Sequence, residues 1–154
     1  MSDVIGQICE PPVVIGASLA TASLFVRRAP DIAAQLAIAT PLAVGITKLL
    51  KMTVDEHRPR FLDTRPEQSF PSGHATAITA YTLSAVAASR RWWLLPVAAA
   101  AIAAVDYSRV SHREHWWRDV LVGNAVGLAG AGTGLAAAYA VRRWRRRASP
   151  ASDP

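Results

Sequence analysis

The run DVLVGNAVGLAGAGTGLAAAYAV, residues 119–141, carries no charge after Asp119 until Arg142. A bilayer core asks for about 20 predominantly apolar residues in helical form, and this run supplies them. Four further segments approach the same requirement: residues 11–26, closed by Arg27 and Arg28; 32–50, opening at Asp31 as an N-cap and ending around Lys48 and Lys51; 72–89; and 92–107. Pro41 falls inside the second of these, a position that lipid-buried helices tolerate better than soluble ones. Trp92, Trp93, Trp116, Trp117 and Trp144 all lie at segment ends, where an interfacial aromatic belt places them. The expected fold is therefore all-α, an integral membrane bundle of about five transmembrane helices forming a single domain over residues 1–154.

Composition points the same way. Hydrophobic residues make up 51% of the chain, yet 17 Lys and Arg stand against 11 acids, so apolar stretches alternate with basic ones. A nucleic-acid binder would spread its cations over a polar face with aromatic residues between them; uncharged segments of this length argue against nucleic acid as a partner. Cys9 is the single cysteine, which excludes an internal disulfide. The N-terminus has no basic region and opens with Asp3 and Glu10, so insertion is expected to rest on the mature helices rather than a cleaved signal. Gly123, Gly127, Gly130 and Gly134 are spaced by three or four residues and form a small-residue face for close helix packing; a homodimer through such a face is one expectation. Residues 52–70 read as an ordered polar loop, and residues 142–154 as a basic tail that becomes disordered.

Charge asymmetry orients the bundle. Arg27, Arg28, Arg90, Arg91, Arg142, Arg143, Arg145, Arg146 and Arg147 gather on one side. The loops on the other side mix their cations with Asp55, Glu56, Asp63, Glu67 and Glu114. By the positive-inside rule the C-terminus is expected in the cytoplasm, and residues 52–70 and 108–118 outside the cell membrane.

Three blocks fall on that outer side: Lys51 with Arg58-Pro59; Pro71-Ser72-Gly73-His74; and Ser108-Arg109 with His115 and Asp119. Lys51, Arg58 and Arg109 would surround a group of multiple negative charge, and phosphate fits best, since Arg offers a planar fork and Lys a compact charge. Taken singly, each cation reads as a snorkelling or solvated residue. Ser72 suits an N-cap and Gly73 a close backbone approach, so the first turn after them can cradle an anion; by itself Ser-Gly is also an ordinary turn. His74 in that turn can protonate a leaving oxygen and then take a proton from water. His115 and Asp119, at i and i+4, let the carboxylate fix the imidazole tautomer and free the other nitrogen to attack phosphorus. The same pair can instead do no more than steady a helix start. A zinc set of His112, His115 and Asp119 is disfavoured because three nearby cations would repel the metal.

Together these residues resemble the signature of the type 2 phosphatidic acid phosphatase superfamily: Lys, six residues, Arg-Pro; Pro-Ser-Gly-His; and Ser-Arg, five residues, His, three residues, Asp, all matched without substitution. The resemblance implies that His115 is the nucleophile, Asp119 its partner and His74 the general acid. It implies that Lys51, Arg58, Ser72, Gly73 and Arg109 bind phosphate, and that the reaction passes through phosphohistidine with no metal or other cofactor. The signature also occurs in soluble acid phosphatases and vanadate-dependent haloperoxidases. The apolar segments favour a membrane phosphatase acting on lipid phosphate esters or diphosphates: polyprenyl diphosphate or monophosphate, phosphatidylglycerol phosphate, or phosphatidic acid. A catalytically silent phospholipid-binding scaffold or transporter subunit is the alternative. Members of the family with six spans have one more than this chain displays.

Overall fold

The computed structural model describes residues 4–59 and 68–148. Asp63 and Glu67 of the polar loop, and residues 149–154 of the tail, lie outside the described residues. The elements are α1 (Val4–Ile8), α2 (Pro11–Phe25), α3 (Pro30–Thr53), α4 (Gly73–Ser89), a 3-10 turn (Trp92–Leu94) running into α5 (Leu95–Ser111), and α6 (Trp117–Ala148). Among the described residues the only β pairing is an isolated antiparallel bridge between His57 and Gln68.

Prolines mark the starts of α2, α3 and α5, where a missing N–H costs nothing. The side chain of Ser72 caps α4 by accepting from the Ala75 N–H at 3.4 Å, and Arg90 in the left-handed region, φ 56°, ends that helix. Pro41 sits within an α3 that continues to Thr53. Among the described residues, three stretches are long and apolar enough to cross a membrane: Pro30–Thr53, Trp92–Ser111 and Trp117–Ala148. The other two expected spans are shorter, 15 residues in α2 and 17 in α4. At 1.5 Å per residue they reach about 22 and 25 Å, below the roughly 30 Å of a hydrocarbon core.

The tail differs from its sequence reading. Residues 142–148 continue α6 as helix, with Arg142 paired to Asp31 at the start of α3 and Arg145, Arg146 and Arg147 in the last turn, where cations complement the helix dipole.

Helix α6 is the central element and packs most extensively on α3 and α4. Its glycines explain how. A Cβ at Gly123 would lie 2.6 Å from the Ser72 carbonyl oxygen, and one at Gly127 2.6 Å from that of Thr76, both on the α4 side. On the α3 side, a Cβ at Gly130 would meet Ala43 Cβ at 2.6 Å, and one at Gly134 the Gln35 carbonyl oxygen at 2.7 Å. The small-residue face is thus consumed inside the monomer, and a dimer would have to use another surface. Polar side chains bridge the same helices: Gln35 donates to Ser84 C=O (3.0 Å), Thr47 and Thr76 hydroxyls pair (2.9 Å), and Asn124 joins Thr79 (2.8 Å) to Asp106 (2.6 Å). Such interhelical bonds satisfy polar groups that lipid cannot.

Candidate active site

Four helix ends meet at the pole of the bundle opposite the arginine-rich end: the C-termini of α3 and α5 and the N-termini of α4 and α6. One backbone bond stitches two of the sequence blocks directly, with Ser72 N–H donating to Asp119 C=O at 3.0 Å. The tight glycine contact one turn further along α6 keeps that spacing short.

His115 lies in the turn before α6 and is 2% exposed; Asp119, on the first turn of α6, is fully buried. His115 Nδ1 is 3.5 Å from Asp119 Oδ2, and the same carboxylate oxygen accepts from the Trp116 N–H at 2.9 Å. The i, i+4 pairing forms even though helix begins only at Trp117, because the carboxylate caps the turn that carries the imidazole. Burial holds the His115 pKa below the ordinary imidazole value; Asp119 opposes this shift, while Arg58 and Lys51 reinforce it. His74, on the first turn of α4, is near enough to interact electrostatically with His115, and its ring hydrogen-bonds the backbone of Gly6 from α1.

The cations converge on the same pole. Lys51 donates to the carbonyls of Gln68 (3.1 Å) and Ser69 (3.2 Å), which pins the end of α3 beneath the Pro71-Ser72 turn. Arg109 is 1% exposed and donates to Glu114 Oε2 at 2.9 Å and to Ser108 Oγ at 3.1 Å. Arg58 donates to the Glu114 carbonyl at 3.3 Å, and its Nη1 lies 3.9 Å from Glu114 Oε2. Ser72 is buried with its hydroxyl committed to the helix cap, so its contribution to an anion cradle comes through the turn it shapes. Among the described residues, Gly73 has only the Pro11 side chain close to where a Cβ would be, at 3.2 Å. A cavity of about 410 Å³ opens onto His115 between Pro59, Val110, Arg113, Trp116 and Trp117.

All eight residues singled out from sequence therefore gather at one end of the fold. Among the described residues no three His, Cys, Asp or Glu side chains are grouped to hold a metal ion, and His112 turns its Nδ1 to Ser108 C=O at 2.7 Å. Sequence reasoning missed Glu114, counted only as an acid in an outer loop. Its position beside His115 in a block rich in arginine was the available signal.

Comparison with known proteins agrees with this geometry. The family model of the PAP2 superfamily matches residues 32–147, which include every residue named at the site except those of α1 and α2. A curated relative, undecaprenyl-diphosphatase of Sulfolobus acidocaldarius, is 29% identical over 113 residues, covering 68% of this chain and 54% of the relative. The chain thus spans about half the length of that relative. No solved structure matches. With three signature blocks drawn to one pole of a helical bundle and a family match that runs from α3 to the end of α6, this chain belongs to the PAP2 superfamily.

Proposed function

We propose that this protein hydrolyses phosphate esters or diphosphates of membrane lipids by way of a phosphohistidine at His115. The observation that carries the reading is the buried His115–Asp119 pair set among Lys51, Arg58 and Arg109, with His74 near enough to interact electrostatically with His115. With Nδ1 turned to Asp119, the His115 tautomer that donates there leaves Nε2 as the attacking atom. The three cations hold the non-bridging phosphoryl oxygens and take up charge as the group becomes trigonal in transfer. His74 donates a proton to the leaving oxygen and, in the second half, accepts one from the water that attacks the phosphohistidine. The depressed His115 pKa suits this role, since the nucleophile is neutral at physiological pH without needing to lose a proton first.

The apolar helices and the Trp116 and Trp117 flank of the cavity favour a lipid over a soluble ester. The diphosphatase similarity favours a polyprenyl diphosphate within the lipid phosphate class. Arginine enrichment at the far pole favours a site facing away from the cytoplasm. The test is direct: purified protein in detergent with EDTA should release phosphate from a polyprenyl diphosphate or phosphatidic acid, and His115→Ala should not. Full activity in that variant would remove the mechanism, and lipid binding without turnover in the wild type would favour a silent phospholipid-binding scaffold.

A further inference from the structure

Glu114 stands where an incoming phosphate would seek its partners. After α5 the chain turns through Arg113 in the left-handed region, φ 56°, and the Glu114 N–H bonds back to Arg109 C=O at 3.0 Å. That turn drives the Glu114 side chain inward, to 9% exposure, and sets Oε2 2.9 Å from Arg109 Nη1 and 3.9 Å from Arg58 Nη1. A carboxylate matches the planar guanidinium fork as a phosphoryl group does, so the two anions seek the same N–H donors.

We propose that Glu114 is a positioning residue that occupies the Arg109–Arg58 pair in the empty site and competes there with phosphate, weakening retention of the inorganic phosphate product. This rests on the phosphatase reading above. Among the described residues, three cations (Lys51, Arg58, Arg109) and two carboxylates (Glu114, Asp119) leave the nest one positive charge, not counting the imidazoles. Removal of Glu114's charge would make it two, and a phosphate dianion would then meet more attraction and one fewer competitor. The carboxylate therefore does two things: it holds a buried guanidinium in place while substrate is absent, and it keeps a strongly cationic site from being trapped by its own product.

The experiment measures inhibition by inorganic phosphate, following release of the lipid alcohol or lipid monophosphate, in full-length wild type, Glu114→Gln and Glu114→Asp. Glutamine keeps an acceptor oxygen for Arg109 without the charge; aspartate keeps the charge but withdraws it. The half-inhibiting phosphate concentration should fall about tenfold in the Gln variant, the size expected for losing one nearby like charge, and by a smaller factor in the Asp variant. An unchanged or raised value in both overturns the inference, as does a variant that loses kcat and thermal stability with phosphate inhibition unmoved, the pattern of a merely structural residue. Should Glu114→Gln fail to fold, the Asp variant decides alone by the same criterion. Wild type without turnover would reject the phosphatase reading instead, and phosphate-dependent thermal stabilisation of the three proteins would still test Glu114.

Discussion

Substituting Gly123 by alanine probes the contact that sets the spacing of the two histidines. The new Cβ would come within 2.6 Å of the Ser72 carbonyl oxygen, 3.1 Å of Ala75 Cβ and 3.3 Å of Thr76 Oγ1. The nearest atom is backbone at the start of α4, so no side-chain rotation relieves the clash. Helix α4 has to move away from α6 by several tenths of an ångström or more. Overpacking of this kind costs about 1–3 kcal/mol. For a chain of this size that corresponds to a fall in Tm of about 2–4 °C per kcal/mol, read by a thermal melt in detergent. The displacement also carries His74 away from His115, and misplacement approaching 1 Å lowers turnover by up to about 100-fold. Gly132, with nothing among the described residues within 4 Å of its Cβ position, is the matched control and should lower neither quantity. A Gly123→Ala protein with the Tm and kcat of Gly132→Ala would refute the claim that α4–α6 contact builds the site.

Three further outcomes follow from the same geometry. Because burial and the neighbouring Arg58 and Lys51 depress the His115 pKa against the pull of Asp119, its imidazole should stay neutral as pH falls through the usual value of about 6.5 and protonate only below it; a histidine-selective NMR titration of substrate-free protein that shows protonation at or above that value contradicts the assignment of causes. Asp119→Asn preserves the shape that accepts the Trp116 N–H but frees the imidazole tautomer, so kcat/KM should fall by about 10²–10⁴ with Tm little changed; retained kcat/KM would show that the carboxylate is only a helix cap. Arg113 is exposed on the same pole as the site, so Arg113→Cys in a Cys9→Ser background should be labelled by an impermeant thiol reagent on intact cells, and labelling only after lysis would reverse the proposed orientation.

Much of this was legible in the chain because its signals are local. Proline starts, the serine cap and the uncharged run of α6 each act within a turn or two of themselves, and helix ends then bring the catalytic candidates together by simple alternation of direction. What escaped depends on partners distant in sequence. Residues 142–148 read as the start of a basic tail that becomes disordered, yet Arg142 meets Asp31 across 111 positions and the helix continues. Asp106 lay near the end of an apparently plain apolar span; burial is tolerable there because Asn124, on another helix, donates to it. The short α1 is five residues with no periodicity to betray it, and its backbone at Gly6 meets the site through His74. Glu114 carried a charge of the wrong sign for a phosphate nest. Its role emerged only when two guanidinium groups were seen to share it.

Rapid quenching of a single turnover with phosphorus-labelled lipid phosphate, followed by peptide mapping, asks whether phosphorus is ever bonded to this protein. An acid-labile, base-stable phosphoryl group on the peptide bearing His115, formed and lost at rates that support steady-state turnover and absent from His115→Ala, is the predicted result. Turnover with no such adduct, or with phosphorus on a different residue, would contradict it.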